Sequence, residues 1–198
     1  LTYSDEDLPA FLLAIDDLAN RPHAAHIVTD QNWYGPGSNS RYDTLVGSDT
    51  VQLLGPRYAV LQRDYRRIVR QHPARFPPER LLVSFGGTDP GGETEKVLTA
   101  LEDEEFDSLT IDVVMGSTTG VSDAVQTLVG RRYSTHLHVA IPSLAPLLAR
   151  ADLALGASGA ATWERMAAGV PAMVTTVAPH QSGVTSALHD DGVTRWLG

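Results

Sequence analysis

The stretch Leu153-Ala-Leu-Gly-Ala-Ser-Gly-Ala-Ala-Thr-Trp-Glu-Arg-Met-Ala-Ala-Gly-Val-Pro-Ala172 decides how the chain is read. It opens with residues suited to a buried strand, passes through a tight Gly/Ser turn, and continues as a helix whose first residues are small. The first turn of a helix carries unpaired backbone N–H groups and the positive end of the helix dipole, which together favour an anion such as phosphate. Small side chains at Ser158, Gly159, Ala160 and Ala161 let such an anion approach the backbone. Glu164 lies further into the helix, within reach of a sugar hydroxyl beside that phosphate. The competing reading is an ordinary helix start, because many Gly-rich strand–helix turns bind nothing.

Working outward, strand-like apolar runs occur at 80–85, 109–115, 135–140, 151–155 and 172–176. Segments with helical spacing lie between them, at 94–101, 122–129, 144–150 and 163–168. Strict alternation of nearly continuous apolar strands with helices predicts a parallel sheet covered on both faces. Gly130 and Gly169 are read as helix stops. The first half is less regular. A buried strand is expected at 10–15, ending at Asp16-Asp17, with further strands at 25–29 and 51–54. The spacing of Ala59, Leu61, Tyr65 and Ile68 predicts an amphipathic helix over 58–71. The prolines of His72-Pro-Ala-Arg-Phe-Pro-Pro78 break any helix and mark a linker. The organisation expected is therefore a partial α/β domain over 1–71, a linker over 72–78 and a nucleotide-binding α/β domain over 79–198. Three strands and one or two helices are too few for a finished first domain, so sequence is expected to be missing before Leu1; the sequence also ends abruptly at Leu197-Gly198, just after a helix.

Composition narrows the function classes. The 198 residues include 24 acidic and 15 basic side chains, a net charge of −9, with 42% hydrophobic and 20% charged residues. These are values of a globular chain with a sizeable core. The negative balance argues against nucleic acid and anionic membranes as partners. An anionic substrate must be held by backbone donors and individual side chains. With no cysteine, thiolate–zinc sites, disulfides and cysteine nucleophiles are ruled out. No apolar run reaches membrane-spanning length and no signal peptide opens the sequence, so a cytoplasmic location without membrane insertion is expected.

A second glycine loop, Ser84-Phe-Gly-Gly-Thr-Asp-Pro-Gly-Gly92, follows the first strand of the second domain. Adjacent glycines at a strand's carboxyl end permit positive φ and close backbone approach, which suits a diphosphate or sugar. The loop can instead be no more than a tight turn, with Asp89 or Thr88 capping the next helix. It is neither a Walker loop nor a dinucleotide fingerprint, since Gly-Lys-Ser/Thr and Gly-x-Gly-x-x-Gly are absent. Gly86-Gly87, Ile141-Pro142, Ser158-Gly159 and Pro179-His-Gln181 all follow strand ends. In an open parallel sheet they converge on one edge.

Four segments together resemble the PseG/SpsG-like family: Asp16-Asp-Leu-Ala-Asn-Arg21, Leu53-Leu-Gly-Pro-Arg-Tyr58, Val83-Ser-Phe-Gly-Gly-Thr-Asp-Pro90 and Gly156-Ala-Ser-Gly-Ala-Ala-Thr-Trp-Glu164. Characterised members of that family are UDP-2,4-diacetamido-2,4,6-trideoxy-β-L-altropyranose hydrolases of pseudaminic acid biosynthesis. The family is similar to the lipid-linked N-acetylglucosaminyltransferase of peptidoglycan synthesis. The resemblance implies an α/β fold of GT-B type: two Rossmann-like domains with parallel sheets, the N-terminal one incomplete in this chain, and a nucleotide-sugar cleft between them. It further implies that Gly86, Gly87 and Thr88, with Ser158, Gly159, Ala160 and Thr162, hold the UDP diphosphate. Glu164 would accept from the ribose hydroxyls, backbone near Ile141 would pair with uracil, and Gln181 would lie near the sugar or phosphates.

The expected function is thus a nucleotide-sugar hydrolase that releases UDP in polysaccharide or nonulosonic acid biosynthesis. The alternatives are a GT-B glycosyltransferase using a UDP-sugar donor and a non-catalytic nucleotide-sugar binding protein. The family's Gly-x-Gly-His loop, which supplies a catalytic histidine, does not occur in this sequence. Its absence leaves hydrolysis against transfer open. Catalytic candidates are His180 beside the sugar pocket, Asp16 and Tyr58. Asp16 can polarise a water or sugar hydroxyl, or equally cap a turn. Tyr58 can donate its hydroxyl to substrate, or be buried against the cleft floor. Trp163 reads as core packing. No metal and no cofactor are expected; His23 and His26 have no carboxylate obviously placed to complete a metal site. The partner expected is a UDP-sugar, with the chain a monomer or weak dimer.

Overall fold

The structure is a computed structural model that describes residues 11–87, 89–118 and 121–198. Thr88, expected at the diphosphate, lies outside the described residues, as does Ala10 of the first expected strand.

A small sheet comes first. Strands β1 (Leu13–Ile15), β2 (Ile27–Asp30) and β3 (Val51–Leu54) stand in the order β1-β2-β3, all parallel. Leu13 and Ile15 are 50% and 67% exposed, so β1 is not the buried strand expected but an open edge. Parallel neighbours are usually joined through a helix. Here the β1–β2 and β2–β3 connections contain no α-helix, and buried polar groups organise them instead. The Asp16 carboxylate accepts from the Ala19 N–H (3.0 Å) and the Tyr42 hydroxyl (3.0 Å) and lies 3.2 Å from His23 Nε2. Tyr42, fully buried, also lies 3.3 Å from Asp30 Oδ2, the same oxygen that Arg41 pairs.

The predicted helix over 58–71 does not form. One 3-10 turn covers Pro56–Tyr58 and another Arg63–Arg67, with extended residues such as Ala59 between them. The periodic apolar residues find a different use. Tyr65 is buried in the core of the second unit, and Leu61 and Ile68 pack against it. Gln71 N–H bonds Ala149 O (2.9 Å), and Arg70 Nη2 bonds Ala151 O (2.7 Å). Tertiary packing has overridden a helical pattern. The proline-rich stretch that follows is pinned by Asp152, whose carboxylate accepts N–H bonds from Arg75 (3.0 Å), Glu79 (3.1 Å) and Arg80 (3.0 Å).

The second unit is a six-stranded parallel sheet. Strands β4 (Arg80–Ser84), β5 (Thr110–Met115), β6 (Thr135–Val139), β7 (Leu153–Ala157), β8 (Ala172–Thr175) and β9 (Arg195–Trp196) run in the order β6-β5-β4-β7-β8-β9. The first five of these lie within about two residues of the expected ranges; β9, two residues long, is too short to leave a pattern. Helices α1 (Glu93–Ala100) and α2 (Asp123–Arg131) cover one face, where Leu98 and Val125 meet Leu81, Val83, Ile111 and Val113. Gly130 lies inside α2 and does not end it, because the helix runs on to Arg131. Helix α3 (Ala145–Leu148) covers the other face, where Leu147 and Leu148 meet Leu82, Val114 and Val174. Helix α4 (Ala161–Ala167) follows β7 and is stopped, as expected, near Gly169 at φ +64°. Helix α5 (Ser182–Asp190) follows β8. Trp163 is core, as read from the sequence, packed with Val184 and Leu188. Against that cluster lie Trp33 and Tyr34 of the first unit, and Trp33 Nε1 donates to Asp191 at 2.6 Å. The two units therefore meet along α5.

Candidate functional site

In chain order the larger sheet grows from β4 to β5 and β6 on one side, then reverses to β7, β8 and β9 on the other. The reversal falls between β4 and β7, whose carboxyl ends pair Ser84 with Gly156. At such a switch point the loops after the two strands diverge and leave a crevice, the usual ligand position in open α/β sheets. The loops here are the two glycine turns of the sequence. Gly86 adopts φ +92°, and Gly87 packs so closely on Gly116 that a Cβ on Gly116 would lie 2.4 Å from Gly87 Cα. Asp89 does cap the next helix, accepting N–H bonds from Glu93 (2.9 Å) and Thr94 (2.8 Å).

After β7 the chain turns directly into α4. Ser158 N–H is used by Thr175 O (3.0 Å), while Thr162 and Trp163 N–H bond Gly159 O and Ala160 O at 2.9 and 3.1 Å. The amides of Gly159, Ala160 and Ala161 have no acceptor among the described residues, and no side chain caps this helix. Ser158 Oγ lies 2.5 Å from Thr185 Oγ1, which also reaches Gln181 O at 2.7 Å. That contact ties the turn to α5. Gln181 Oε1 accepts from Val177 N–H (2.9 Å), and its amide nitrogen lies 3.6 Å from where a Cβ on Gly159 would sit. Gly159, Ala160 and Gln181 line the same space.

That space is a cavity of about 260 Å³ between the two units. From the second unit it is lined by Ser158, Gly159, Ala160, Thr162, Trp163, His180, Gln181 and Val184. From the first unit come Asp17, Gln31, Asn32 and Tyr34. Tyr34 is held by Arg41, stacked 3.6 Å above its ring, and by its hydroxyl on Asp17 O (2.9 Å). Gln31 is oriented by Val60 N–H on its Oε1 (3.0 Å). Gln31, Asn32 and Tyr34 were not singled out from the sequence, although the rule that marked the second unit's loops applies to them: they follow the carboxyl end of β2.

The remaining candidates separate. Asp16 lies behind the cavity wall with its carboxylate in the Ala19–Tyr42–His23 network; burial would raise its carboxyl, but the His23, Tyr42 and Ala19 bonds outweigh it and hold it low. Its neighbour Asp17 is the one that lines the cavity. Tyr58 is 39% exposed on a 3-10 turn, neither opening a helix nor lining the cavity. Glu164 and Ile141 form a second zone around Tyr65. Ile141 follows Ala140, a non-glycine residue at φ +52°, and its N–H and C=O make no hydrogen bond among the described residues. Burial raises the Glu164 carboxyl, against the opposing Tyr65 hydroxyl and Arg165. The buried Tyr65 hydroxyl faces Glu164 and Ser143 without closing a good hydrogen bond, and burial with the Glu164 charge pushes it up to about 12. Among the described residues no group of three or more His, Cys, Asp or Glu is arranged to hold a metal ion. No described helix is long and apolar enough to cross a membrane.

Comparison with known proteins bears on the fold. No protein-family model matches the chain. It is 26% identical over 145 residues to the spore coat polysaccharide biosynthesis protein SpsG of Bacillus subtilis, covering 73% of this chain and 43% of that protein. An uncharacterised protein of Methanocaldococcus jannaschii is 28% identical over 132 residues, 63% of this chain and 27% of that one. The chain thus spans less than half the length of either relative. Among solved structures it resembles MurG of Acinetobacter baumannii, with a TM-score of 0.54 and 20% identity over 86% of this chain and 51% of that one. The fold is an incomplete Rossmann-like α/β arrangement of the GT-B type, similar in sequence to SpsG.

Proposed function

We propose that this chain forms the nucleotide-sugar site of a hydrolase that releases UDP from a UDP-linked amino-deoxy sugar in polysaccharide biosynthesis. The observation that carries the proposal is the cavity beyond the carboxyl ends of β7 and β8, where the unpaired amides of Gly159 and Ala160 and the Gln181 side chain share a wall opposite Asp17, Gln31 and Asn32 of the other unit. Unpaired N–H groups suit a diphosphate, and they stabilise a leaving diphosphate without reorganising. Carboxamides and a carboxylate suit the hydroxyl and acetamido groups of a sugar. The similarity to a polysaccharide biosynthesis protein and the MurG-like fold support this class of substrate.

In this reading Gly86, Gly87, Thr88 and the Ser158–Thr162 turn hold the diphosphate, Ile141 backbone meets the base, and Glu164 accepts from the ribose. His180 lines the cavity and takes a proton from the attacking water, which adds at the anomeric carbon or the β-phosphorus. Asp16 acts indirectly, fixing the strand end from which Asp17 projects. The alternative is a glycosyltransferase using the same donor site. Incubating the full-length protein with UDP-amino sugars and following UDP by phosphorus NMR separates the two. Hydrolysis predicts UDP and free sugar without any acceptor; release only when a glycosyl acceptor is added would sink the hydrolase and favour transfer.

A further inference from the structure

Arg165 is 2% exposed, yet among the described residues it has no counter-ion within ion-pair distance. Its side chain runs back from α4 beneath the Ser158–Ala161 turn. Nη2 donates to Ala157 O (2.9 Å) and Thr162 Oγ1 (3.0 Å), both neutral acceptors that bracket the turn. Nη1 lies 3.2 Å from where a Cβ on Gly156 would sit, and the buried Nε has no acceptor. No carboxylate of the described residues comes within ion-pair distance, and Glu164 acts on it only through space.

The other buried charges of the chain are treated differently. Asp16, Asp30 and Asp112 each have an arginine within 3.5 Å, and Asp152 has three backbone donors. A buried ion without a counter-charge is costly even when hydrogen-bonded, and an opposite charge arriving nearby offsets part of that cost. Arg165 does not itself line the cavity, but Thr162, whose Oγ1 it bonds, does, beside Gly159 and Ala160.

We propose that Arg165 is the fixed counter-charge of the anionic half of the cavity's ligand, a positioning residue that sets the preference for a diphosphate over an uncharged nucleoside. This rests on the reading of the cavity as a nucleotide-sugar site. Arg165 acts from behind the turn: its two neutral bonds hold the turn's shape, and its charge adds to the free amides that point the other way. Burial lowers its pKa to about 10, so it stays cationic at neutral pH.

The test compares UDP and uridine as probes, by calorimetry, on the full-length protein. Arg165→Met keeps much of the volume and removes the charge. The expected result is a loss of UDP affinity on the order of tenfold or more, with uridine affinity unchanged. Equal weakening of UDP and uridine, or unchanged UDP binding, overturns the proposal. Arg165→Lys decides alone if the Met variant does not fold. A retained preference for UDP over uridine supports a charge role, and its loss overturns it. Failure of the wild-type protein to bind UDP at all would instead defeat the proposed function, a result distinct from either outcome above.

Discussion

The carbonyl oxygen of Ser84 stands where a side chain on Gly156 would begin: a Cβ there would lie 2.0 Å from it. This contact joins β4 to β7 at the switch point, just below the two glycine turns, of which the one after β7 lines the cavity. Arg165 Nη1 crowds the same position from the other side at 3.2 Å. Neither neighbour can yield cheaply, since one is backbone in a sheet ladder and the other is buried. Gly156→Ala is therefore expected to destabilise the protein by about 2–3 kcal/mol or more, read as a lowered urea midpoint. Gly159→Ala, whose Cβ would meet only Gln181 Nε2 at 3.6 Å, should leave the midpoint nearly unchanged. If the two variants unfold alike, the close packing of β4 on β7 is wrong.

The contrast between these glycines shows where sequence reading succeeds and fails. The second unit was legible because its strands are buried on both faces, so β7 reads as an unbroken apolar run and α4 begins at a small-residue turn. The first unit was not, because its apolar pattern serves another surface. Tyr65 and Ile68 sit at helical spacing but dock on the core beside α3, so their periodicity reports a partner and not a helix. Asp16 and Asp17 are adjacent and chemically alike, and only the fold decides which faces the cavity. Arg165 left no signal at all, since an arginine one residue after Glu164 reads as an ordinary exposed helix charge.

Three buried carboxylates make stability depend on acid. Burial would raise Asp152, but the N–H donors of Arg75, Glu79 and Arg80 outweigh it and hold it below the usual 3.8. Asp112 is held low in the same way, against burial, by His138, Arg80 and Arg150, and Asp16 by His23, Tyr42 and Ala19. A carboxylate with a depressed folded pKa contributes stability that is fully present above its unfolded value and is lost as pH falls through the folded value. Stability is therefore expected to fall as pH drops below the ordinary value of 3.8 and to keep falling below it. Asp152→Asn should flatten that slope and lower stability at neutral pH by about 1–3 kcal/mol. Chemical denaturation from pH 7 downward checks both, and an unchanged acid slope would count against the three-donor arrangement.

Tyr42 places one hydroxyl between two carboxylates, 3.0 Å from Asp16 and 3.3 Å from Asp30. One proton serves both contacts, beside the Ala19, Arg21 and His23 partners of Asp16 and the Asn32 and Arg41 partners of Asp30. Burial pushes Asp30 up, opposed by the Asn32 N–H, Arg41 and the Tyr42 hydroxyl. Tyr42→Phe removes the one donor that the two acids share in a buried site. The expected cost is about 1–3 kcal/mol. Because Asp30 follows directly into Gln31, Asn32 and Tyr34, this variant should also raise hydrogen exchange at residues 31–34. Loss of stability with unchanged exchange there would show that the network does not hold the cavity wall.

Glu164 offers a prediction about binding and pH together. Its carboxyl is raised above 4.5 by burial, with Tyr65 and Arg165 pulling the other way. If the carboxylate accepts from ribose hydroxyls, UDP affinity should decline as pH falls, starting above the pH at which an exposed glutamate would protonate. Removing the charge makes the same change at every pH. Glu164→Gln should therefore bind UDP more weakly at neutral pH, on the order of tenfold for a lost charge-assisted bond, and should show a flatter profile between pH 7 and 5. Tyr65→Phe clears the buried hydroxyl that faces Glu164 and should leave the neutral-pH affinity within about twofold while shifting the acid limb to higher pH, since that hydroxyl helps hold the carboxylate ionised. UDP affinity measured across pH in the three proteins decides the point. Parallel profiles for wild type and Glu164→Gln would remove Glu164 from the binding site and leave it a half-buried helix charge.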